Sequence, residues 1–283
     1  MTTRLQAPGF DLRHTLECGQ FFRWTRTPDG YYVHVGGLLF AVRQHGDELL
    51  VEGAPASFAR RFFSLDHDTP LIEERLLHDR RLREAVEVYR GLRILRQDPW
   101  ECTVAFLTSA ASNIPRIAAN LADIAQAYGR PTARGGFQSF TFPRPDEIGD
   151  EEGLRKLRLG FRARYLVEAA RLTRAGLLED LEDLPFEEAR EALMVVPGIA
   201  DKIADCILLY AFGHLNAFPV DTWIRRVMRD MFFQGRKVPD SAIREFASER
   251  WGDWAGYAQQ YLYIWARERR PVIYRETLAA GAV

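Results

Sequence analysis

A proline-glycine turn between two apolar helical segments is the strongest constraint on the fold of this 283-residue chain. Pro197-Gly198 interrupts residues 193–212, whose apolar side chains otherwise recur at helical spacing. Because proline cannot continue a helix and glycine readily takes a left-handed turn, we predict a helical hairpin at about residues 190–213. The first N–H groups of its second helix lack partners and suit an anion such as a DNA phosphate. Two packed helices without a ligand are the ordinary alternative.

Lys202 lies in the first turn of the second predicted helix. The chain has 38 basic residues, and lysine occurs only at positions 156, 202 and 237, which leaves 35 arginines. Arginine carries charge equally well but cannot act as an amine nucleophile near neutral pH. A lysine at this position, where the positive end of the helix dipole opposes an ammonium charge, is therefore a candidate nucleophile.

Asp221 follows Lys202 by 19 residues and stands at the predicted start of another helix. A carboxylate at a helix N-cap accepts backbone hydrogen bonds, and these favour its ionised form. Such a group could stabilise a cationic sugar transition state or handle a proton. A structural cap is the alternative for Asp221 alone, but its pairing with Lys202 favours a chemical role.

Composition excludes several classes of protein. The chain is 47% hydrophobic and 27% charged, as in soluble globular proteins, and no apolar run could cross a bilayer. No signal-peptide core follows the first residues, so we expect a cytoplasmic location, at the nucleoid if the source is bacterial. Three scattered cysteines exclude an iron–sulfur cluster, and the histidines show no ligand spacing. The net charge of −1 does not by itself support nucleic-acid binding.

The first hundred residues are typical of a small antiparallel sheet. Residues 31–35 and 38–42 flank Gly36-Gly37, which predicts a two-residue β-hairpin, and residues 49–52 predict a further strand. Helical spacing begins near Ser57.

The chain after Asp98-Pro99 is predicted to be almost wholly helical. The expected elements are helices over residues 100–111 and 114–128, a surface loop over 130–150, helices from 151 with a break at Gly160, and one long helix over 241–269. We therefore predict an α+β fold, with an N-terminal antiparallel β domain over residues 1–97 and a mostly α-helical domain over residues 98–283.

Four separated segments and residues 254–259 resemble the 8-oxoguanine DNA glycosylase/AP lyase family of the helix-hairpin-helix superfamily. The segments are Cys18-Gly19-Gln20-Phe21-Phe22-Arg23-Trp24, Arg96-Gln97-Asp98-Pro99-Trp100-Glu101-Cys102, residues 154–165 and residues 196–221. They occur in the expected order over nearly the whole chain. The hairpin alone is typical of the superfamily, whereas the segment around Gly19 and the late Gln259 make the resemblance specific.

The resemblance implies a bifunctional DNA N-glycosylase/AP lyase that acts in base-excision repair. Lys202 would attack C1′ of a damaged nucleotide flipped out of the duplex, expel the oxidised base and form an imine that permits β-elimination. Asp221 would be the partner carboxylate. No cofactor would be required, and the partner would be double-stranded DNA with 8-oxoguanine opposite cytosine, bound by a monomer.

By the same resemblance, four residues would recognise the base. The carbonyl of Gly19 would accept the N7 hydrogen that 8-oxoguanine has and guanine lacks, which leaves guanine with an unsatisfied contact. Gln259 would read the Watson–Crick edge, and Cys206 and Tyr263 would sandwich the ring. The ordinary alternatives are a turn for Gly19, an exposed helix position for Gln259, and core packing for the other two.

The resemblance also implies contacts with the DNA around the lesion. Arg116 and Arg162 match positions that read the orphaned cytosine, and Phe161 matches an aromatic wedge that props the duplex open. Gly198 would bring the hairpin close to a phosphate. The alternatives are exposed arginines in an arginine-rich chain and core packing for the phenylalanine.

Three positions depart from the family pattern. Ala200 replaces a second hairpin glycine, which puts the closeness of the phosphate approach in doubt. In the family's asparagine cluster Asn113 is present, but Ala111 lacks the side chain that would contact cytosine, so a weaker preference for cytosine is expected. Trp223 replaces a histidine and removes a phosphate contact.

The family can also hold a monovalent or divalent cation on hairpin carbonyls, here those of Met194, Val196 and Ile199. Backbone ligation leaves no signature in the side chains, so this site is an implication of the resemblance alone.

Three hypotheses follow, and the first is favoured. It is an oxidised-purine glycosylase with lyase activity. The second is a helix-hairpin-helix glycosylase for alkylated bases, which would need no lysine at 202. The third is a DNA-binding module without catalysis, against which the presence of both Lys202 and Asp221 argues.

Overall fold

The N-terminal part of the protein is built on a five-stranded antiparallel sheet. In the computed structural model, which describes residues 2–268, the strand order is β1-β5-β4-β3-β2. The strands are β1 (Thr2–Gln6), β2 (Trp24–Thr27), β3 (Gly30–Val35), β4 (Leu38–His45) and β5 (Glu48–Glu52). The predicted hairpin is confirmed, because Val35 pairs with Leu38 across Gly36-Gly37 and Gly36 takes the positive φ that such a turn requires.

The remainder of the described chain is mostly helical, which confirms the predicted α+β class. The helices are α1 (Leu12–Glu17), α2 (Ala56–Phe62), α3 (Thr69–Leu77), α4 (Arg83–Val88), α5 (Pro99–Thr108), α6 (Ile114–Tyr128), α7 (Glu151–Lys156), α8 (Arg162–Arg174), α9 (Phe186–Met194), α10 (Asp201–Ala211), α11 (Thr222–Met231), α12 (Asp240–Trp251) and α13 (Ala255–Glu268).

Short polar side chains fix where many of these helices begin. Six helices start after an aspartate or asparagine whose side chain accepts a hydrogen bond from the backbone N–H three residues on, which satisfies one free donor of the first turn. These caps are Asp11, Asp68, Asp98, Asn113, Asp150 and Asp221.

The predicted loop over residues 130–150 is wrong for part of its length. Strands β6 (Pro131–Arg134) and β7 (Phe137–Phe140) form a hairpin around Gly135-Gly136, both of which have positive φ. The four-residue strands are too short for a clear alternation in sequence. The hairpin rests on the main sheet, since Arg134 Nε donates to the carbonyl of Leu39 at 2.8 Å.

The single long helix expected over residues 241–269 is also wrong. Helices α12 and α13 are separate, and a 3-10 turn over Gly252–Trp254 divides them. Gly252 has φ +52°, a left-handed conformation that ends a right-handed helix. Residue 269 lies outside the described residues. By contrast, the expected break at Gly160 is confirmed by its φ of +58° between α7 and α8.

Two buried hydrophobic clusters support these elements. The smaller cluster lies under the sheet and includes Phe40 and Phe62. The larger one fills the helical part, and it also includes Ile72 of α3, Leu82 just before α4, and Ile94 in the chain that follows α4. The division into domains at residue 97 stays a prediction, because the helical core recruits side chains from before that point.

Within residues 2–268, no helix is long and apolar enough to span a membrane. The same residues contain no cluster of three or more histidine, cysteine, aspartate or glutamate side chains arranged to hold a metal ion.

Candidate active site

The hairpin between α9 and α10 presents its turn to solvent. Gly198 has φ +90°, and a Cβ atom at this position would collide with the ring of Tyr165, so only glycine fits. Ala200 has φ −111° and ψ 177°, an extended conformation open to any residue. Replacement of the family's second glycine by Ala200 therefore introduces no backbone strain.

Lys202 extends from the first turn of α10 to the end of α5. Its Nζ atom donates a hydrogen bond to Ser109 Oγ at 3.1 Å and lies 5.4 Å from the centre of the Phe106 ring. Ser109 Oγ in turn donates to the carbonyl of Phe106 at 2.6 Å, so its lone pairs face the lysine. Ser109 was not predicted as a site residue, because nothing local in the sequence relates it to Lys202.

Asp221 is the N-cap of α11, as the sequence predicts. One of its carboxylate oxygens accepts a hydrogen bond from the backbone N–H of Ile224 at 2.8 Å. Burial raises the pKa of Asp221, while the N–H groups of Ile224 and Trp223 and the charge of Lys202 oppose that shift. A fixed and largely desolvated carboxylate thus stands in the electrostatic field of the lysine.

Lys202 and Asp221 line the same cavity, whose volume is about 790 Å³. This volume lies within the range of small-molecule sites. The structure brings the four predicted base-recognition residues to the same walls, although they come from distant parts of the chain: Gly19, Cys206, Gln259 and Tyr263.

Gln259 is buried, and hydrogen bonds fix its amide. Its Nε2 donates to the carbonyl of Pro219 at 3.2 Å, and its Oε1 accepts from the hydroxyl of Tyr210 at 3.4 Å. Gln260, the next residue, accepts a shorter bond of 2.6 Å from the same hydroxyl. The exposed helix position considered as an alternative for Gln259 is therefore excluded.

Cys206 and Tyr263 carry no charge at neutral pH. Burial raises the pKa of the Cys206 thiol to about 12, although nearby Lys202 opposes the shift. Burial, with the charge of Asp221, likewise raises the pKa of Tyr263 to about 12. Both side chains therefore offer neutral, polarisable surfaces to a ligand in the cavity.

Gly19 lies at a crowded point of the cavity wall. Its φ is +93°, and a Cβ atom there would lie 2.7 Å from Arg267 Nη1 and 2.8 Å from Ile114 Cδ1. Glycine is favoured by the backbone conformation, and a Cβ atom would in addition force the ends of the Arg267 and Ile114 side chains to shift. Arg267, which also lines the cavity, is a second residue that sequence reasoning missed.

Comparison with known proteins identifies the family. Residues 3–103 match the family described as 8-oxoguanine DNA glycosylase, N-terminal domain. A probable N-glycosylase/DNA lyase of Methanothermobacter thermautotrophicus is 34% identical in an alignment of 214 positions that covers 68% of each chain. The N-glycosylase/DNA lyase OGG1 of Arabidopsis thaliana is 31% identical in an alignment of 279 positions that covers 88% of this chain and 75% of the relative. The chain belongs to the 8-oxoguanine DNA glycosylase family.

A solved structure supports the same family assignment. The Clostridium acetobutylicum 8-oxoguanine glycosylase/lyase, in complex with double-stranded DNA containing cytosine opposite 8-oxoguanine, superposes with a TM-score of 0.89. The two chains are 30% identical, and the match covers 95% of this chain and 98% of that one.

Of the residues expected to contact DNA in this family member, Asn113, Ala200 and Trp223 line the cavity. The others are not among its lining residues: Arg116, Phe161, Arg162 and Gly198. Phe161, at the start of α8, is 48% exposed, which is unusual for a large apolar side chain and argues against plain core packing. Arg116 is exposed on the first turn of α6. Asn113 caps that helix by accepting from the backbone N–H of Arg116 at 3.0 Å.

Arg162 is directed toward a loop of the protein itself. Its guanidinium donates to the carbonyl of Ala110 through Nε at 2.9 Å and through Nη2, and Nη2 also reaches the carbonyl of Ala111 at 3.3 Å. The guanidinium is buried, and burial lowers its pKa. Reading of a cytosine by Arg162 stays a prediction, since in this structure its donors hold the loop.

The substituted positions have distinct surroundings. Ala111 has φ +50°, a left-handed conformation that alanine rarely takes. Trp223 is half-buried, and the guanidinium of Arg226 lies 5.8 Å from the centre of its ring.

In the hairpin, the carbonyl of Val196 accepts from the backbone N–H of Ile199 at 3.0 Å, while Met194 is 40% exposed. A cation bound by the carbonyls of Met194, Val196 and Ile199 stays a prediction.

Proposed function

We propose that this protein removes 8-oxoguanine from duplex DNA and then cleaves the strand at the resulting abasic site. The observation that carries the proposal is the meeting of Lys202 and Asp221 in one cavity with Gly19 and Gln259. The names of its relatives, N-glycosylase/DNA lyase and 8-oxoguanine glycosylase/lyase, support the same activity. Each relative named carries both activities, glycosylase and lyase, in its name.

Lys202 is the proposed nucleophile. Its amine forms a bond to C1′ as the bond from C1′ to the base breaks, and the base leaves with the electron pair and then takes up a proton. Opening of the sugar gives an imine between C1′ and the lysine nitrogen. Loss of a proton from C2′ then expels the 3′ phosphate, and hydrolysis of the imine regenerates the amine. Ser109 orients the amine through the 3.1 Å hydrogen bond.

Asp221 is proposed to stabilise the positive charge that develops on the sugar. Its side chain is fixed by the N–H of Ile224, so it needs no reorganisation as that charge appears. Because the carboxylate is half-buried in the cavity wall, its interaction with a cation is less screened than it would be in water.

Base recognition is assigned to the other walls of the cavity. We propose that the Gly19 carbonyl accepts the N7 hydrogen of 8-oxoguanine, where guanine would present a lone pair to a lone pair. Gln259 would meet the Watson–Crick edge, and Cys206 and Tyr263 would enclose the ring. The neutral thiol and phenol suit this role, since neither would introduce an unpaired charge beside the base.

The lesion must be flipped out of the duplex to reach this cavity. Exposed Phe161 is the proposed wedge, and the exposed turn at Gly198 and Ala200 is the proposed phosphate contact. A cation on the carbonyls of Met194, Val196 and Ile199, action as a monomer and a cytoplasmic location remain parts of the proposal.

Cytosine is the proposed partner opposite the lesion, read by Arg116. Ala111 lacks the side chain that would make a further contact with cytosine, and the donors of Arg162 are bonded to the adjacent loop. The preference for cytosine over other opposite bases is therefore expected to be weak. Trp223 replaces the family's histidine, and its neutral indole cannot bring to a phosphate the positive charge that a histidine can.

The direct test of this function is the single-turnover rate of base release from a duplex with one 8-oxoguanine. We expect Asp221→Asn to slow release about 100-fold or more, because it removes a charge that stabilises the transition state. Asparagine is also a good N-cap, so the fold is retained. Asp150→Asn, at a cap whose side chain accepts from Gly153 N at 2.7 Å, is the matched control and should act at the wild-type rate.

Two outcomes would count against the proposal. If the wild-type protein releases no 8-oxoguanine, the function is wrong. If Asp221→Asn releases the base as fast as Asp150→Asn, Asp221 has no part in the chemistry.

A further inference from the structure

Helix α13 brings four side chains to the cavity region. Gln259 and Tyr263 face the cavity, and Gln260 and Arg267 contact the turn that carries Gly19. Gln259, Tyr263 and Arg267 follow one another at four-residue spacing, which places them along one side of the helix, and Gln260 lies beside Gln259. Helix α13 supplies Gln259 and Tyr263 for base recognition. It also contacts the turn that carries Gly19, a third base-recognition residue, which lies near the start of the chain.

The turn after α1 has free carbonyl groups, and Arg267 binds two of them. Its Nη2 donates to the carbonyl of Glu17 at 2.8 Å, and its Nη1 donates to the carbonyl of Cys18 at 3.1 Å. Gln260 Nε2 adds a longer bond of 3.3 Å to the carbonyl of Cys18. A guanidinium at the carboxyl end of a helix is also favoured by the helix dipole.

Arg267 also fits closely against Gly19. Its Nη1 atom would lie 2.7 Å from a Cβ atom at Gly19, so the guanidinium fills the space that any other residue would need. The Cζ atom of Arg267 lies 5.8 Å from the centre of the Tyr263 ring. Gly19 is thus confined on one side by Arg267 and on another by Ile114, whose Cδ1 would lie 2.8 Å from the same Cβ.

We propose that Arg267 is a positioning residue that fixes the Gly19 carbonyl and thereby sets the discrimination between 8-oxoguanine and guanine. This inference rests on the proposed function of the site. Recognition of a single N–H group depends on a well-aligned acceptor, because hydrogen bonds weaken steeply as distance and angle depart from their optimum. The two charge-assisted bonds from Arg267 supply that alignment without contact to the base.

The test compares variants by two readouts on three duplexes, which contain 8-oxoguanine, its 7-deaza analogue or a preformed abasic site. The first readout is the ratio of single-turnover excision rates for 8-oxoguanine and for its 7-deaza analogue, which has no N7 hydrogen. The second is borohydride trapping on a preformed abasic site, which requires Lys202 but no base. A residue that positions Gly19 alters the first readout far more than the second.

We expect Arg267→Met to lower the excision ratio about tenfold, the worth of one misaligned hydrogen bond, with a much smaller change in abasic-site trapping. Arg267→Lys keeps the charge and can reach one carbonyl, so its ratio should lie between those of Arg267→Met and the wild type. Arg171→Met, at an exposed arginine that pairs with Glu168 on α8, is the control and should match the wild type in both readouts.

The inference is overturned if the ratio for Arg267→Met equals that of the wild type, or if excision and trapping fall in parallel. Should Arg267→Met fail to fold, Arg267→Lys decides, and a wild-type ratio for it overturns the inference. If the wild-type protein itself excises no 8-oxoguanine, the proposed function fails instead, and the two failures are distinguished.

Discussion

Ala111 shows at the scale of one residue how this family member departs from the family pattern. Its φ of +50° costs alanine about 1–2 kcal/mol, whereas glycine and asparagine visit this region readily. Arg162 holds the strained backbone through the carbonyls of Ala110 and Ala111. The loop therefore keeps a shape suited to asparagine at a position that no longer has one.

We predict that Ala111→Asn strengthens the preference for cytosine opposite the lesion, because it restores an amide at a backbone already shaped for it. Ala111→Gly is the control, since it relieves the same strain without adding an amide. Both variants should raise the free energy of unfolding by about 1 kcal/mol. Denaturant unfolding and excision from duplexes with each opposite base measure these effects.

The contrary results are equally specific. A loss of stability in Ala111→Gly would show that the left-handed backbone costs alanine less than the extra freedom of glycine costs in the unfolded chain. An equal gain of cytosine preference in both variants would show that the amide is not the cause.

Residue-level prediction from sequence succeeds where the signal is local. Lys202 and Asp221 are identifiable because each lies at a helix start whose physics is readable from neighbouring residues. Ser109 and Arg267 are not identifiable, because their partners lie 93 and 249 residues away in the chain. Serine and arginine are common residue types, and without those distant contacts nothing marks these two as site residues.

At the scale of elements, the helical hairpin is held by an ion-pair cluster in which Asp205 is buried and Asp201 is 42% exposed. Arg190 of α9 lies 2.7 Å from Asp201 and 3.3 Å from Asp205 of α10, and Arg244 of α12 lies 2.7 Å from Asp201. Burial raises the pKa of Asp205 to about 7, although the charges of Arg190 and Arg244 oppose the shift. The hairpin that carries Lys202 thus contains a carboxyl group that titrates near neutral pH.

This pKa predicts a pH-dependent difference in stability. Asp205 binds its proton more tightly in the folded than in the unfolded protein, so its ionisation destabilises the fold progressively from about pH 4 to pH 7. Asp205→Asn removes this cost. Relative to wild type, its free energy of unfolding should therefore rise between pH 5 and pH 8 by more than about 1 kcal/mol, since one pKa unit is worth about 1.4 kcal/mol.

Asp201→Asn is the matched control from the same cluster. Burial alone would raise the pKa of Asp201, but the hydrogen bonds and charges of Arg190 and Arg244 lower it overall. Its stabilising effect is complete above the unfolded pKa of 3.8 and is lost only below it. The difference from wild type should change far less between pH 5 and pH 8 than it does for Asp205→Asn, since the charge of Asp201 makes only a minor contribution to the raised pKa of Asp205. The same slope in both variants, measured by urea unfolding, would contradict the assignment.

Prediction of elements from the sequence fails where a helix ends at a single glycine and where a hairpin depends on tertiary contacts. Gly252 ends α12 by adopting a positive φ, but a lone glycine within a helical pattern is often tolerated. The β6–β7 hairpin is stabilised by its contact with the main sheet and by stacking of Phe137 on Tyr32, with ring centres 4.7 Å apart. These tertiary contacts cannot be predicted from the local sequence, which is rich in glycine, proline and phenylalanine and therefore favours a loop.

At the scale of the whole molecule, the segment around Gly19 joins the sheet to the helical part. Gln20 is fully buried and donates to the carbonyls of Thr15 and Arg93, while its Oε1 accepts from Leu95 N. Arg23 pairs with Glu101 of α5 at 3.4 Å. The segment is therefore a structural link as well as the carrier of a proposed base-recognition residue.

The cavity combines three distant regions of sequence: the turn at Gly19, the hairpin and cap at Lys202 and Asp221, and helix α13 with Gln259. The sequence predicts the class of fold and the order of these regions. Their convergence is predicted only through the resemblance to the family, because it depends on the packing of α13 against α4, α11 and the turn at Gly19.

The central claim is that Lys202 forms a covalent bond with the sugar of an 8-oxoguanine nucleotide. Borohydride reduces an imine to a stable amine, so incubation with an 8-oxoguanine duplex should yield a protein–DNA adduct that peptide mass spectrometry locates at Lys202. Lys202→Gln should give no adduct while still binding the duplex, whereas Lys156→Gln, at an exposed lysine paired with Glu152, should give the wild-type yield. Absence of an adduct in the wild-type protein, or its persistence in Lys202→Gln, would contradict this account.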